Sequence, residues 1–353
     1  MLLPFGSPPA PAQKMYYTYI VAPTGGDFTT LSAALGTAVS GNTIYVKPGS
    51  YSEAGGTFSQ TNLTIVGAGT EAVTMTLGAN LILSGNYLKL SGCTIDAGAS
   101  YQIEITGQYS TLTLNHLKGS AAMYFLSDYY YNSYFHNKFE ATGSSARCLF
   151  GPRNRIVGNH FIAPHNTNGG VWLDANTTFS ANFLYYQAIS AGGGPILYTG
   201  GEWCSITGNS FFCGNGAALT SDFRCTFTGN SVYQVGGDAV QVVDGCTVSG
   251  NAIWLDYAGN GIFINDSSTG YGATVVGNSV IGNGTPLSSS VGIYVNSGNN
   301  AIINGNSIAN IATGIDVISG ATKTILTSNN ISGFTTAITD SGTSTVNANN
   351  ITV

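Results

Sequence analysis

One short motif, a small residue followed by Gly-Asn-x-apolar, recurs along most of this chain and decides what it can fold into. It reads VGNHF at 157–161, TGNSF at 207–211, TGNSV at 228–232, SGNAI at 249–253, VGNSV at 276–280 and NGNSI at 304–308. Degenerate copies are TLNHL (113–117), FHNKF (135–139), SANFL (180–184), TSNNI (327–331) and NANNI (347–351). The asparagines are Asn115, Asn137, Asn159, Asn182, Asn209, Asn230, Asn251, Asn278, Asn306, Asn329 and Asn349, at separations of 22, 22, 23, 27, 21, 21, 27, 28, 23 and 20. A period near 22 with occasional extra residues is a solenoid whose coils carry loop insertions.

The segments inside each period read as short strands. GVWLD (170–174), GIFIN (261–265), GIYVN (292–296) and GIDVI (314–318) alternate inward and outward residues and are too short and β-branched for helical repeats. The expected fold is therefore all-β: a single-stranded, right-handed parallel β-helix of roughly 12 coils. Stacked coils place equivalent residues about 4.8 Å apart, so the asparagines form an amide ladder. Cys204, Cys225 and Cys246 each lie five residues before a ladder asparagine, on the parity of Ile206, Phe227 and Val248. They mark a small interior column that other coils fill with Thr177, Ala273, Ala301 and Thr324. Buried thiols are expected there, although the column spacing also suits a disulfide. No CxxC or neighbouring histidine suggests a metal.

Residues 1–15 are expected to be a flexible or docking extension, 16–60 a capping helix with the first coil, and 61–353 the β-helix. Phe28, Leu31, Leu35 and Ala38 recur at helical spacing, with Asp27 or Thr29 as N-cap and Gly41 beyond the end. Such a helix would cover the otherwise open first coil. Charged residues are only 7% of the chain, against roughly 25% in an average soluble protein. The net charge is −6 with no basic run, which argues against a nucleic-acid partner. No apolar run suits membrane insertion, and the start MLLPFGSPPAPAQKM lacks the features of a signal peptide. Synthesis in a cytoplasm is the corresponding expectation.

GDFTTLSAALGTAVSGNTIYVKPGSYSE (26–53) resembles the opening of pectin methylesterases and of the wider pectin-lyase-like superfamily. That opening runs G-D-F-x-T-hydrophobic-x-x-A and then I-x-V-K-x-G-x-Y-x-E. The resemblance implies a fold, not an activity. The methylesterase segments Q-D-T-L and D-F-I-F-G are missing; the comparable region holds SDYYYNSYF (127–135) and ARCLFGPRN (146–154). The polygalacturonase set is missing too, GGDAV (236–240) being a faint echo that includes Asp238. Pectate-lyase chemistry would have to draw on Arg147, Arg153, Arg155 and Arg224.

Asp222, Asp244 and Asp266 are spaced by 22 residues and are expected to form a carboxylate column, with Asp174 further along it. Neighbouring carboxylates about 5 Å apart suit a retaining glycosidase pair, whose mutual repulsion separates an acid from a base. Alternatively the column holds Ca²⁺, or the aspartates merely end strands in turns. Otherwise no cofactor or metal is indicated. The same strand offers outward Trp172, Gln241, Phe263, Tyr294, Asp316 and Thr339, suited to stacking on sugar rings or to packing against a sister chain. Glu202 and Trp203, in a lengthened coil after GGGP (192–195), make a candidate cleft wall. MYFLSDYYYNSYFHNKF (123–139) is the most aromatic stretch and is expected to present outward tyrosines, whereas His116, His136, His160 and His165 read as scattered.

The sequence stops at NANNITV, in mid-repeat, and an open coil needs a cover such as a partner chain. The architecture and the two termini resemble the tail spikes and fibres of bacterial viruses. The leading expectation is a virion or cell-surface spike protein, a homotrimer, that binds surface polysaccharide. The alternatives are a depolymerase, lyase or glycosidase, and a purely structural shell protein.

Overall fold

The computed structural model describes residues 17–143, 146–163, 170–186, 195–213, 217–234, 237–256, 258–265, 271–284 and 287–353. The expected extension 1–15, His165, Gly192 to Gly194 and Asp266 lie outside the described residues. The chain winds through three sheets of 15, 14 and 14 strands, paired in parallel from coil to coil. In the first full coil the strands are Thr43–Val46, Gly49–Glu53 and Gly56–Phe58, which define the first, second and third sheets.

Alternation fixes the register. On the first sheet Ile156, Phe179, Ile206, Phe227, Val248 and Val275 are paired from coil to coil. All are buried, so a one-residue slip would turn the whole column to solvent. The aromatic stretch is divided by the same rule. Tyr124, Phe125, Tyr134 and Phe139 point inward, the last three packing with Phe150 and Phe161, while the rings of Tyr129, Tyr130 and Tyr131 stand exposed.

The asparagine ladder closes the corner between the first and second sheets. The Asn209 N–H donates to Asn230 Oδ1 at 2.8 Å, and its Nδ2 donates to the same oxygen and to the Phe179 carbonyl, both at 2.9 Å. The pattern begins where the Cys93 N–H donates to Asn115 Oδ1 at 3.2 Å. It ends on Asn350, not on Asn349: the Asn329 N–H donates to Asn350 Oδ1 at 2.9 Å. Asn349 instead holds the left-handed turn position just before the ladder, at φ 57. Gly158, Gly208, Gly229, Gly250, Gly277 and Gly305 hold it elsewhere, with φ between 62 and 67, which is why glycine precedes asparagine in the motif.

The cysteine column lies inside the corner between the third and first sheets, and all three thiols are buried. It continues a second, shorter amide ladder that the sequence reading missed. The Ser110 N–H donates to Asn132 Oδ1 at 2.7 Å and the Asn132 N–H to Asn154 Oδ1 at 2.8 Å. Thr177 and then the cysteines take over this position. The described cysteines are free thiols.

The cap helix runs Leu31–Thr37 and buries Leu31, Ala34 and Leu35. Its N-cap is Thr30, whose Oγ1 accepts from the Ala33 N–H at 3.2 Å, rather than Asp27 or Thr29. Asp27 is drawn off to accept from the Ile20 N–H at 2.7 Å. Phe28 and Ala38, expected on the helix, flank it. Buried Glu53 accepts from the N–H groups of Leu31 and Ser32 at 2.8 and 2.7 Å and from Ser32 Oγ at 2.8 Å. This carboxylate satisfies helix-end donors and ties the helix to the second sheet.

Candidate functional site

The expected aspartate column is corrected by register. Thr220 pairs with Gln241, a step of 21 residues, so Asp222 and Asp244, 22 apart, fall one residue out of step. Asp244 turns inward and is buried, whereas Asp222 is half-exposed. Asp222 does share a column with Asp174. Ser127, Phe150, Leu173 and Thr199 are successive partners, and Tyr198 pairs with Thr220. The positions that follow are Asp128, Gly151, Asp174, Gly200 and Asp222, so carboxylates alternate with glycines.

This alternation opens a cleft of about 330 Å³ between Asp128 and Asp174, floored by Trp172 and Tyr198. A Cβ at Gly151 would lie 2.7 Å from the Asp128 carbonyl carbon, so no side chain fits between the two acids. Two coil steps of about 4.8 Å separate their Cα atoms by about 10 Å. That backbone spacing is nearer the roughly 6.5–9.5 Å of an inverting pair than the roughly 5 Å expected for a retaining one, with Asp174 Oδ1 turned toward Gly201 in the following coil. Asp174 Oδ1 accepts from the Ala175 N–H at 2.6 Å. At the rim, the Arg147 guanidinium lies 4.9 Å from the Trp172 ring centre, with its Nε buried and unpaired.

The expected Trp172, Gln241, Phe263, Tyr294, Asp316 and Thr339 fall in one outward column of the third sheet, which Tyr198 and Thr220 complete. Trp172 and Tyr198 pack at 5.1 Å, and Phe263 and Tyr294 stack at 5.5 Å. Most of these side chains are only half-exposed because each leans on the next coil. Asp238 is engaged by Asn260 Nδ2 at 2.7 Å, and Gln241 Oε1 accepts from Thr220 Oγ1 at 3.5 Å. Desolvation pushes the Asp316 carboxyl above the usual range.

Glu202, Trp203 and Arg224 meet at the next corner, beside a hollow of about 260 Å³ lined by Glu202, Phe223, Arg224, Asp244 and Tyr271. Arg224 Nη1 pairs with Glu202 Oε2 at 2.9 Å. Its guanidinium lies 5.4 Å from the Trp203 ring centre and 5.2 Å from that of Tyr271. Trp203 and Tyr271 are 58% and 59% exposed, so this is a surface arrangement held by cation–π and ionic contacts.

The same corner carries planar groups over many coils. Tyr87, Tyr109, Tyr131, Arg153, Asn176, Trp203 and Arg224 all hold left-handed backbone, with φ between 56 and 65. Tyr87, Tyr109 and Tyr131 stack at 5.2 and 5.3 Å, and Arg153 Nη1 donates to the Tyr131 hydroxyl at 2.7 Å. A side chain in this conformation costs about 1–2 kcal/mol, which glycine avoids in most coils of the asparagine corner, while Leu114, His136, Ala181 and Ser328 carry it in others. Here the chain keeps tyrosine, tryptophan and arginine instead.

Two further features escaped the sequence reading. Tyr185, Phe212, Tyr233 and Trp254 form an exposed ladder on the second sheet, with ring centres 5.2, 6.4 and 6.4 Å apart. Each is three residues beyond a ladder asparagine, a signal that was present in the sequence. Two of the histidines are not scattered either: His116, Lys138 and His160 are successive register partners on that sheet. Among the described residues no group of three His, Cys, Asp or Glu side chains is arranged to hold a metal.

No protein-family model matches the chain, and no curated protein sequence is similar to it. Its backbone is similar to solved structures. The catalytic domain of a GH87 α-1,3-glucanase in complex with tetrasaccharides superposes with a TM-score of 0.55 at 11% identity, covering 99% of this chain and 69% of that one. A PL6 family polysaccharide lyase from Pseudopedobacter saltans gives 0.51 at 14% identity, covering 91% and 90%. The A-module of a mannuronan C-5 epimerase from Azotobacter vinelandii gives 0.51 at 16%, covering 90% and 92%. The chain thus has the parallel β-helix fold of these proteins, as its pectin-lyase-like opening implied.

Proposed function

We propose that this chain binds polysaccharide along the corner between its third and first sheets. The observation that carries this reading is the row of exposed planar side chains held in left-handed backbone, from Tyr87 to Arg224. Each costs conformational energy that glycine would not, and all but Asn176, which presents a carboxamide, set an aromatic ring or a guanidinium at the surface. Phenol, indole and guanidinium groups repeating at the coil rise of about 4.8 Å match a polymer of sugar rings laid along the solenoid. The polysaccharide-acting fold neighbours support the same substrate class. In this reading the protein works as a spike or fibre on a virion or cell surface, assembled as a homotrimer. Affinity electrophoresis and a glycan array with the wild type, Trp203→Ala and Arg224→Ala test the binding site. Light scattering tests the trimer. Undiminished retention of both variants on every glycan bound by the wild type would rule out the corner.

The alternating Asp128, Gly151 and Asp174 favour a second reading, depolymerisation in the adjacent cleft by an inverting pair of carboxyls. One would protonate the leaving oxygen and the other activate water across the sugar. Asp128→Asn and Asp174→Asn should then abolish release of reducing ends while leaving binding intact, and NMR of the first product should show inverted anomeric configuration.

A further inference from the structure

A separate charged patch occupies the second sheet. In a chain with 26 charged residues in 353, Asp96, Lys118 and Glu140 are successive register partners in one outward column, beside His116, Lys138 and His160 in the next. Lys118 pairs with Asp96 at 3.0 Å, and Glu140 Oε2 receives both Lys138 at 2.7 Å and His116 Nε2 at 2.9 Å. Further along these columns stand Ser210, Ser231 and Ala252 and the aromatic ladder. The fold therefore does not need ions here, and partly exposed pairs contribute little stability.

The patch opens into a hollow of about 490 Å³. Lys118, Lys138, His116 and His136 line it, with Glu71 as the carboxylate on its wall and the hydroxyl of Thr94 as a further polar group. Asp96 and Glu140 engage the lysines from beside the hollow and do not line it. Two ammonium groups and two imidazoles thus face a space that holds one lining carboxylate.

We propose that this hollow binds a carboxylate-bearing sugar residue, distinct from the corner track. Lys118 and Lys138 meet the sugar carboxylate, while Glu71 and Thr94 meet its hydroxyls. The inference rests on the polysaccharide reading and narrows it to a polymer containing uronic acid. The titratable groups that line the site are Glu71, Lys118, Lys138, His116 and His136, and those packed beside it are Asp96, Glu140 and His160. With the imidazoles neutral, the three carboxylates and two ammonium groups leave a small negative excess. Burial and the nearby Lys138 hold the His116 and His160 imidazoles below their ordinary value; protonating these two reverses the excess, so affinity rises as pH falls while the uronate stays ionised.

The test is calorimetric titration of the full chain with oligomers of glucuronate, galacturonate and mannuronate, and with the same oligomers after carboxyl reduction. At least one uronate oligomer should bind several-fold tighter at pH 5.5 than at pH 7.5, and its reduced form should lose that gain. Loss of one charge-assisted hydrogen bond makes Lys138→Gln and Lys118→Gln each about tenfold weaker. Trp203→Ala should keep the pH-dependent component. Uronate and reduced oligomers binding alike, or lysine variants with wild-type affinity and unchanged unfolding temperature, would overturn the assignment. Loss of neutral-glycan binding in Trp203→Ala, with the uronate component absent, would uphold the corner and reject this hollow. The converse would reject the corner alone.

Discussion

Replacing Asn209 by Ala removes four side-chain hydrogen bonds from a fully packed position. Its Nδ2 donates to the Phe179 carbonyl and to Asn230 Oδ1, and its Oδ1 accepts from the Asn182 N–H at 2.8 Å and from Asn182 Nδ2 at 3.1 Å. Each such bond nets about 1 kcal/mol, and the loss also strands the buried Asn182 N–H, so the expected cost is about 3–5 kcal/mol. Because coils contact only their neighbours, the damage should be local. Guanidinium unfolding followed by circular dichroism gives the total. Amide hydrogen exchange should show lost protection around residues 177–234 and little change around 43–67. Ser210→Ala, next door but exposed, is the control and should stay within about 0.5 kcal/mol. Should Asn209→Ala cost no more than Ser210→Ala, the amide ladder would be decoration and the columns inferred from it would lose their physical basis.

Trp203→Gly relieves a left-handed tryptophan but gives up its contact with Arg224. Chemical denaturation should therefore show a change within about 1 kcal/mol, while glycan retention falls sharply. Burial and the nearby Lys138 hold the His116 imidazole below its ordinary 6.5, so the folded protein binds fewer protons than the unfolded chain as pH falls past that value. Stability should therefore decline on acidification from about pH 6.5 until the folded imidazole itself protonates, and His116→Gln should flatten that limb in a pH series of unfolding temperatures. Cys204 and Cys225 are neighbours in the column, and their interaction raises the Cys204 thiol and lowers that of Cys225, while Cys204 Sγ donates to the Asp174 carbonyl at 3.2 Å. Diamide, as the added two-electron oxidant, should form one disulfide in this column with loss of two hydrogens. Mass spectrometry after proteolysis should find a Cys204–Cys225 or Cys225–Cys246 bridge, and neither bridge in Cys225→Ala.

The solenoid was legible because its period is written in two residue types that have physical work to do. Glycine supplies the left-handed turn and asparagine the ladder. Where that signal degrades, as in NANNI, the reading slipped by one residue, because Asn349 can occupy the glycine position as well as the ladder position. The aspartate column failed for a related reason. A constant step of 22 was assumed where the coil holding Gln241 is shorter by one, and one residue reverses a strand's inside and outside. Glu202, Trp203 and Arg224 were found separately, but their meeting depends on side-chain reach across coils. Asp128 was passed over because its partner Asp174 lies two coils away. The charged hollow was missed although 116, 138 and 160, like 96, 118 and 140, keep the 22-residue step.

From the strand Thr111–Thr113 onward, the junction of the first and second sheets always spends two residues, whether at Thr113 to His116, Thr207 to Ser210 or Ala348 to Ile351. The span from second to third sheet stretches instead, as between Gly119 and Phe125 or between Tyr186 and Leu197. One edge of the molecule thus acts as a ruler of fixed gauge, and the others are free to lengthen. New loops, epitopes or grafted recognition elements should be accepted on the elastic edges and refused on the rigid one. A lineage of such proteins can then change what it touches without renegotiating how it stacks.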